Sequence, residues 1–472
     1  MNLSDRPLWL LPLLLITGCA SLTTPDFGSE LALCQEQLLA RPGDGDITRD
    51  SSVYRPAEQP YFGISRVNAA FAVDSLDGTA FAEWKTRVVQ DSWQELAAHQ
   101  QRTLGTEMTS SRSCLVALAQ TTPQADWAAY ADSARDHDLY RDWQRWVGLY
   151  PLTSLVVSSR IRSAQADWRR DYGGPFAADG HIYHPATEHQ TDPDTVRDWL
   201  QQAYDNSPLD LPHLPTEQLQ ALQQQHAPAF KVLQDSAADQ LGSVTAMDGE
   251  PSFTTEPAVA YIDHGYTRFE GQWLLQLSYT LWFSERPKGH ALDIYGGPWN
   301  GITWRVTLDT AGQPLWFDAI HNCGCYHQIW VDERHLARDD IGREEPLFLP
   351  FDWQGRPRLT LLPGTHYIRR VVDAEQAPEG AITGQSDYEL AAYDTLLTLP
   401  DQGSADSVPV SMFRPDGLVA GSERLERLLL WPFGVQSPGA MRRNGTHAIA
   451  FVGKRHFDDP DLFEQLLEPV RD

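Results

Sequence analysis

His321, Cys323, Cys325 and His327 stand at alternating positions in the stretch DAIHNCGCYHQIW, residues 318–330. Two thiols and two imidazoles this close together can be a metal site or a redox pair. They can also be two small buried thiols with histidines hydrogen-bonded beside them. Geometry narrows the first option. Strand residues i and i+2 lie roughly 6.6 Å apart, so two neighbours can share one ion. On a straight strand His321 and His327 would be about 20 Å apart, too far to close a four-ligand set. Gly324 permits a positive φ and therefore a bulge or turn between the cysteines. A bent Cys-Gly-Cys could gather both thiols with one or both histidines. That Cys2His2 set suits zinc, although zinc sites usually space their cysteines as C-x2–4-C, and thiolate with imidazole also suits copper. A Cys323–Cys325 disulfide would close a small strained ring, readily reduced and suited to redox work.

Other candidates lie in the same half. His366 follows a Pro-Gly turn, His447 opens the apolar run HAIAFV, and His456 sits in the basic group Lys454-Arg455-His456. Each could add a third or fourth ligand from across a sheet, and each alone reads as a hydrogen-bonded structural histidine. Arg442, Arg443 and Arg455 read equally as an anion-binding patch or as internal ion-pair partners. The chain has no HExxH, GxSxG, P-loop or GxGxxG motif.

The elements that must position these residues show two periodicities. Up to about residue 245 the pattern is helical. In 79–102, Phe81, Trp84, Val88, Val89, Trp93 and Leu96 recur near helical spacing. Residues 124–150 and 151–173 repeat the style, and 192–206 opens with Asp192 as N-cap and Pro193 in the first turn. The aromatic stripes read as core. From about 250 the period becomes two. Trp273, Leu275, Leu277, Tyr279, Leu281 and Phe283 share one face. Residues 302–320 read as a hairpin turning at Asp309–Gln313 around Gly312. Its second strand continues into the motif, with Leu315, Phe317, Ala319, His321, Cys323, Cys325 and His327 on one parity and facing inward. Further strands are expected near 346–351, 365–372, 389–398 and 446–452. Short helices are expected at 418–430 and after Asp459-Pro460. The expected class is α+β, a helical N-terminal half followed by a mainly antiparallel β-rich half. The helical region spans 31–245 and the β-rich region 246–472, with the join anywhere between about 207 and 255.

The N-terminus bears on the compartment. Residues 8–17, LWLLPLLLIT, form an apolar stretch too short to span a bilayer and suited to a signal core. It ends in ITGCAS, with Gly18 before Cys19. This segment resembles the lipobox of bacterial lipoproteins, and the segments WFSERP, IHNCGCYH and GKRHFDDP resemble outer-membrane lipoproteins of Gram-negative proteobacteria. The resemblance implies removal of residues 1–18, lipid on Cys19, a tether over 19–30 and, from Ala20 in place of an Asp, sorting to the outer membrane. It implies no particular chemistry. A lipid anchors without spanning. With 37 basic against 64 acidic residues the formal charge is −27, which argues against nucleic acid as a partner. In an oxidising compartment Cys34 and Cys114 can pair, which leaves Cys323 and Cys325 to each other, to a metal or free. Two functions follow as expectations. One is a periplasm-facing outer-membrane lipoprotein with a metal (zinc or copper) or redox site at the Cys/His motif. The other is a non-catalytic envelope protein that scaffolds or binds partners, for which exposed apolar patches on the Trp-rich helical half would speak.

Overall fold

The computed structural model describes residues 29–39, 52–104, 109–338, 346–376, 380–403 and 408–469. The signal segment and Cys19 lie outside them. The helices are α1 (Ser29–Leu39), α2 (Arg66–Ala69), α3 (Gly78–Leu104), α4 (Thr109–Thr121), α5 (Gln124–Arg135), α6 (Asp142–Val147), α7 (Tyr150–Gly173), α8 (Pro193–Asp205), α9 (Thr216–Gln225), α10 (Arg427–Leu430) and α11 (Leu462–Leu466). The strands are β1 (Gly180–Pro185), β2 (Ala229–Val232), β3 (Ser243–Met247), β4 (Glu250–Thr254), β5 (Val259–Phe269), β6 (Gln272–Arg286), β7 (Gly297–Leu308), β8 (Pro314–His321), β9 (Gln328–Val331), β10 (Leu347–Pro350), β11 (Pro357–Leu361), β12 (Ile368–Asp373) and β13 (Ile382–Ala392). No helix among the described residues is long and apolar enough to cross a membrane.

Local chemistry explains the helix ends. The Asp77 carboxylate accepts the backbone N–H of Thr79 and Ala80, both at 2.9 Å, and starts α3. Asp192 caps α8 by accepting from Asp194 and Thr195, with Pro193 inside the first turn. Residues 124–150 do not form one helix. The segment between α5 and α6 is drawn out of helical geometry because Tyr140 bridges Val435 and the Arg141 N–H donates to the Gly434 carbonyl. A disulfide joins Cys34 of α1 to Cys114 of α4.

Eleven strands form one sheet in the order β10-β9-β8-β7-β6-β5-β13-β1-β2-β11-β12, and β3 and β4 pair separately. The run β5 to β9 is antiparallel. The sheet as a whole is mixed, because β9–β10, β5–β13, β13–β1 and β2–β11 are parallel pairs. Most pairs are antiparallel, as expected, and the parallel pairs are the part that the sequence pattern did not show. β1 and β2 also lie before residue 245, in the stretch read as helical, and pair with strands from after it. Segments of six and four residues are too short to declare a period of two.

Both faces of the central strands are buried. Trp273, Leu275, Leu277, Tyr279, Leu281 and Phe283 of β6 join a core with Trp84 and Trp127 from the helices and Trp304 and Trp330 from neighbouring strands. On the opposite face Trp316 and Ile320 pack against Leu462, Phe463 and Leu466 of α11. Beside them Trp282 packs with Trp299, Met412 and Met441. The β7–β8 turn forms as expected at Asp309–Gln313, with Gly312 at φ +80°. The strand expected at 446–452 does not form. That segment is irregular and lies over the loop that follows β8.

Candidate functional site

The motif is a loop and not a straight strand. β8 stays paired with β7 as far as His321, while pairing with β9 begins only at Ala319 and Gln328. The residues between form the connection. The Gly324 N–H donates to the His321 carbonyl at 2.7 Å, and the His321 N–H donates to the Cys325 carbonyl at 3.0 Å. Gly324 (φ +91°) and Tyr326 (φ +60°) both take the left-handed region this tight closure requires. Asn322 pins the loop to the sheet. Its N–H donates to Gly301 O, its Nδ2 donates to Leu281 O, and its Oδ1 accepts from Thr303. A Cβ on Gly301 would stand 2.2 Å from Asn322 Nδ2, so only glycine leaves room for the pin.

The turn brings the two thiols together and sends the histidines elsewhere. Cys323 and Cys325 are both free thiols, Cys323 buried and Cys325 partly open. Their side chains hydrogen-bond, and this bond is the main force holding the Cys323 thiol below the ordinary range. The second proton of the pair is correspondingly hard to remove, and Cys325 lies well above that range. The guanidinium groups of Arg442 and Arg424 further favour a Cys323 thiolate. Both arginines are buried. Arg424 donates to the carbonyls of Pro298, Ser422 and Trp299, and Arg442 to those of Gln436, Ser437 and Thr446. Carbonyls satisfy the donors without cancelling the charge, so a thiolate nearby is stabilised.

Both cysteines line a cavity of about 380 Å³. Its other walls include Val157, Ile161 and Trp168 of α7, Glu426, and Leu430 of α10. Burial raises the Glu426 carboxyl to about 7, and the neighbouring Cys323 charge adds to the shift. A carboxyl poised near neutrality beside two thiols can hand over or accept their proton.

The motif histidines diverge. His327 Nε2 stands 3.0 Å from Asp318 Oδ2, inside a fully buried Arg305–Asp318 pair. Burial lowers its pKa and Asp318 opposes the shift. It also lines the dithiol cavity, with its Nε2 committed to Asp318. His321 packs against Tyr326 and Tyr367 and lines a separate cavity of about 200 Å³, its pKa pushed down to about 3 chiefly by burial. The three further candidates do not line the dithiol cavity. His447 Nε2–H donates to the Asn322 carbonyl at 3.2 Å, so it props the loop. His366 stacks on Phe283 with ring centroids 3.7 Å apart. Asn300 donates to its Nδ1, and its Nε2 faces Asp239 at 3.2 Å. His456 lies 3.4 Å from Asp138 and edge-on to Tyr140. No group of three or more His, Cys, Asp or Glu side chains among the described residues is arranged to hold a metal ion. Of the arginines, Arg443 pairs with Glu95, and Arg442 serves the thiols.

Asn322, Arg424 and Glu426 are site residues that sequence reading passed over. Asn322 is inside the motif and would have been found by asking what anchors a bent Cys-Gly-Cys. Arg424 and Glu426 carry no such signal, since in SERLERLLL they look like a solvated charge pair on a short helix. No family model, curated protein or solved structure matches the chain.

Proposed function

We propose that the protein is a periplasm-facing outer-membrane lipoprotein whose Cys323–Gly324–Cys325 turn carries out thiol–disulfide exchange with small disulfides entering the 380 Å³ cavity. The observation that carries this reading is the pairing of two free thiols at that cavity, one of them beside two buried arginines. The lipobox-like segment around Cys19 supports the compartment.

The chemistry balances with the groups present. The Cys323 thiolate attacks one sulfur of R–S–S–R′, forming a mixed disulfide and expelling R′S⁻, which takes the Glu426 proton. The Cys325 thiol then gives its proton to the Glu426 carboxylate and attacks the Cys323 sulfur. This forms the Cys323–Cys325 disulfide and expels RS⁻. Two electrons pass from the dithiol to the substrate. The product ring is small and strained, so two equivalents of an external thiol reduce it readily, leaving as their own disulfide and restoring the dithiol.

A second reading uses the same thiols. Two sulfurs in contact, with no metal-holding group of three or more His, Cys, Asp or Glu among the described residues, suit a soft cation of low coordination number, copper(I), better than zinc, which ordinarily takes four ligands.

One experiment separates the two. The purified full-length protein is analysed for copper, zinc and free thiols, then treated with bis(2-hydroxyethyl) disulfide. Exchange predicts that Cys323 and Cys325 are lost together, that both halves of the reagent leave as thiols, and that Cys323→Ser abolishes the reaction. Stoichiometric copper that vanishes in Cys323→Ser/Cys325→Ser would favour the second reading. Thiols that react only after unfolding, in metal-free protein, would sink both.

A further inference from the structure

We propose that the outer face of α6 and α7, with the adjoining α10, docks on the surface of a phospholipid bilayer. Trp143 and Trp146 of α6, Leu149, and Leu152 and Leu155 of α7 are each more than half exposed, Trp146 by 83%. Leu149, Leu152 and Leu155 recur every three residues, so they share one face of the helix start. Leu428 and Leu429 of α10 are each 65% exposed. The three elements meet at Trp431–Phe433: Arg145 donates to the Phe433 carbonyl, Tyr150 packs edge-on to Phe433, and a Cβ on Gly148 would meet Pro432 at 2.3 Å. The apolar side chains therefore form one surface. Both of the tryptophans that stand exposed among the described residues belong to it.

Charge and residue type point to lipid as the occupant. In a chain of net charge −27, residues 143–166 contain no Asp or Glu. Their charges are Arg145, which is buried, and Arg160 and Arg162, which are exposed along α7. A stretch with no acid between Asp142 and Asp167 and with Arg162 exposed fits anionic headgroups better than the rest of so acidic a protein does, which they repel. Tryptophan pairs favour the headgroup boundary, and leucines on one helical face enter the acyl region beside it. The inference rests on the anchor reading, which puts a bilayer near. Cys19 and Ser29 are ten residues apart, so the chain between them spans at most about 35 Å. The opposite face of α7, with Val157, Ile161 and Trp168, walls the dithiol cavity. The docked helix would thus have lipid on one side and the site on the other.

The test is photo-crosslinking in intact cells with the full chain. A benzophenone amino acid is placed at 146, at 152 or, as control, at Leu292, which is 83% exposed in the loop between β6 and β7 beside Asp293. Phospholipid adducts at 146 and 152 and none at 292 are the expected result. Arg162→Glu should lower the lipid adduct at 152 by roughly fivefold or more. Adducts to a second copy, to another protein or to the chain's own N-terminal residues overturn the proposal, as do equal lipid adducts at 292. Fractionation of the same cells reports on the anchor. Protein that sediments with the outer membrane yet gives no lipid adduct at 146 or 152 removes the docking and leaves the anchor. Protein recovered in the soluble fraction removes both.

Discussion

Arg305 and Asp318 face each other across the β7–β8 ladder and are joined by two hydrogen bonds of 2.8 and 2.7 Å, with both side chains buried. Arg305 also donates to the Phe457 carbonyl and lies 3.7 Å from the Phe457 ring centroid. The same Asp318 carboxylate holds His327, the last residue of the motif. Removing one partner strands the other charge in the core. Arg305→Met should cost about 3–5 kcal/mol in urea unfolding. Arg305→Met/Asp318→Leu should recover much of that loss, because the stranded carboxylate is gone.

Gly324 carries the bend. A Cβ there would stand 2.9 Å from the Ala448 carbonyl oxygen, and its φ of +91° disfavours any side chain. Gly324→Ala should lose roughly 1–3 kcal/mol in thermal unfolding. It should also slow thiol reaction with bis(2-hydroxyethyl) disulfide by separating the sulfurs. Unchanged kinetics in a destabilised variant would show that the bend serves folding alone.

The thiol pair makes a prediction in pH. Cys323 is held below the ordinary thiol range, near 8.5, chiefly by the hydrogen bond from Cys325. Its alkylation by iodoacetamide should therefore have a midpoint below that value, and Cys325→Ala should move the midpoint up. A depressed thiol stabilises the fold above its unfolded pKa, and that contribution is lost as pH falls through the folded value. Urea stability of the Cys323→Ser variant should accordingly fall less than wild type on acidification across that window.

Glu426 acts with the opposite sign. Burial raises its carboxyl to about 7, so its favourable contribution is complete below the unfolded value near 4.3 and is lost as pH rises through about 7. Glu426→Gln should flatten this part of the stability profile between pH 5 and 8. It should also lower the midpoint of thiol alkylation, because a carboxylate facing the thiols no longer opposes their ionisation. A midpoint that stays put would separate Glu426 from the thiol chemistry.

The Cys34–Cys114 disulfide closes a loop over a sequence separation of 80. Cys34→Ser/Cys114→Ser should lose about 2–5 kcal/mol to denatured-state entropy, read by urea unfolding without reductant. The reaction of Cys323 with small disulfides should survive in that variant, since α1 and α4 do not line the cavity.

Much of the local structure was legible in the residues. Trp84 and Val88 announce α3 by helical spacing, Asp192-Pro193 announces the start of α8, and the run from Trp273 to Phe283 announces β6 with its buried face. Gly312 marks the β7–β8 turn. These features depend on neighbours within one turn or one hairpin, which the chain itself supplies. The shared parity of Phe317, Ala319, His321 and Cys323 was legible too, but it misled beyond His321. There the backbone leaves the ladder, and Cys323 packs with Trp282 and Trp299 on the other side of the sheet from Phe317.

By itself the sequence determined that two thiols and two imidazoles lie close along the chain, with a glycine able to bend them. It also determined which long segments coil and which extend, because both follow from periodicity and turn chemistry. Only the tertiary structure decided that the thiols meet while the histidines part, and that β1 and β2 complete a mixed sheet. It likewise brought Arg424, Glu426 and Arg442 from the last quarter of the chain to the cysteines. Those outcomes depend on which surfaces bury each other and on where a buried charge finds its partner, and neither is encoded in the spacing of any one segment.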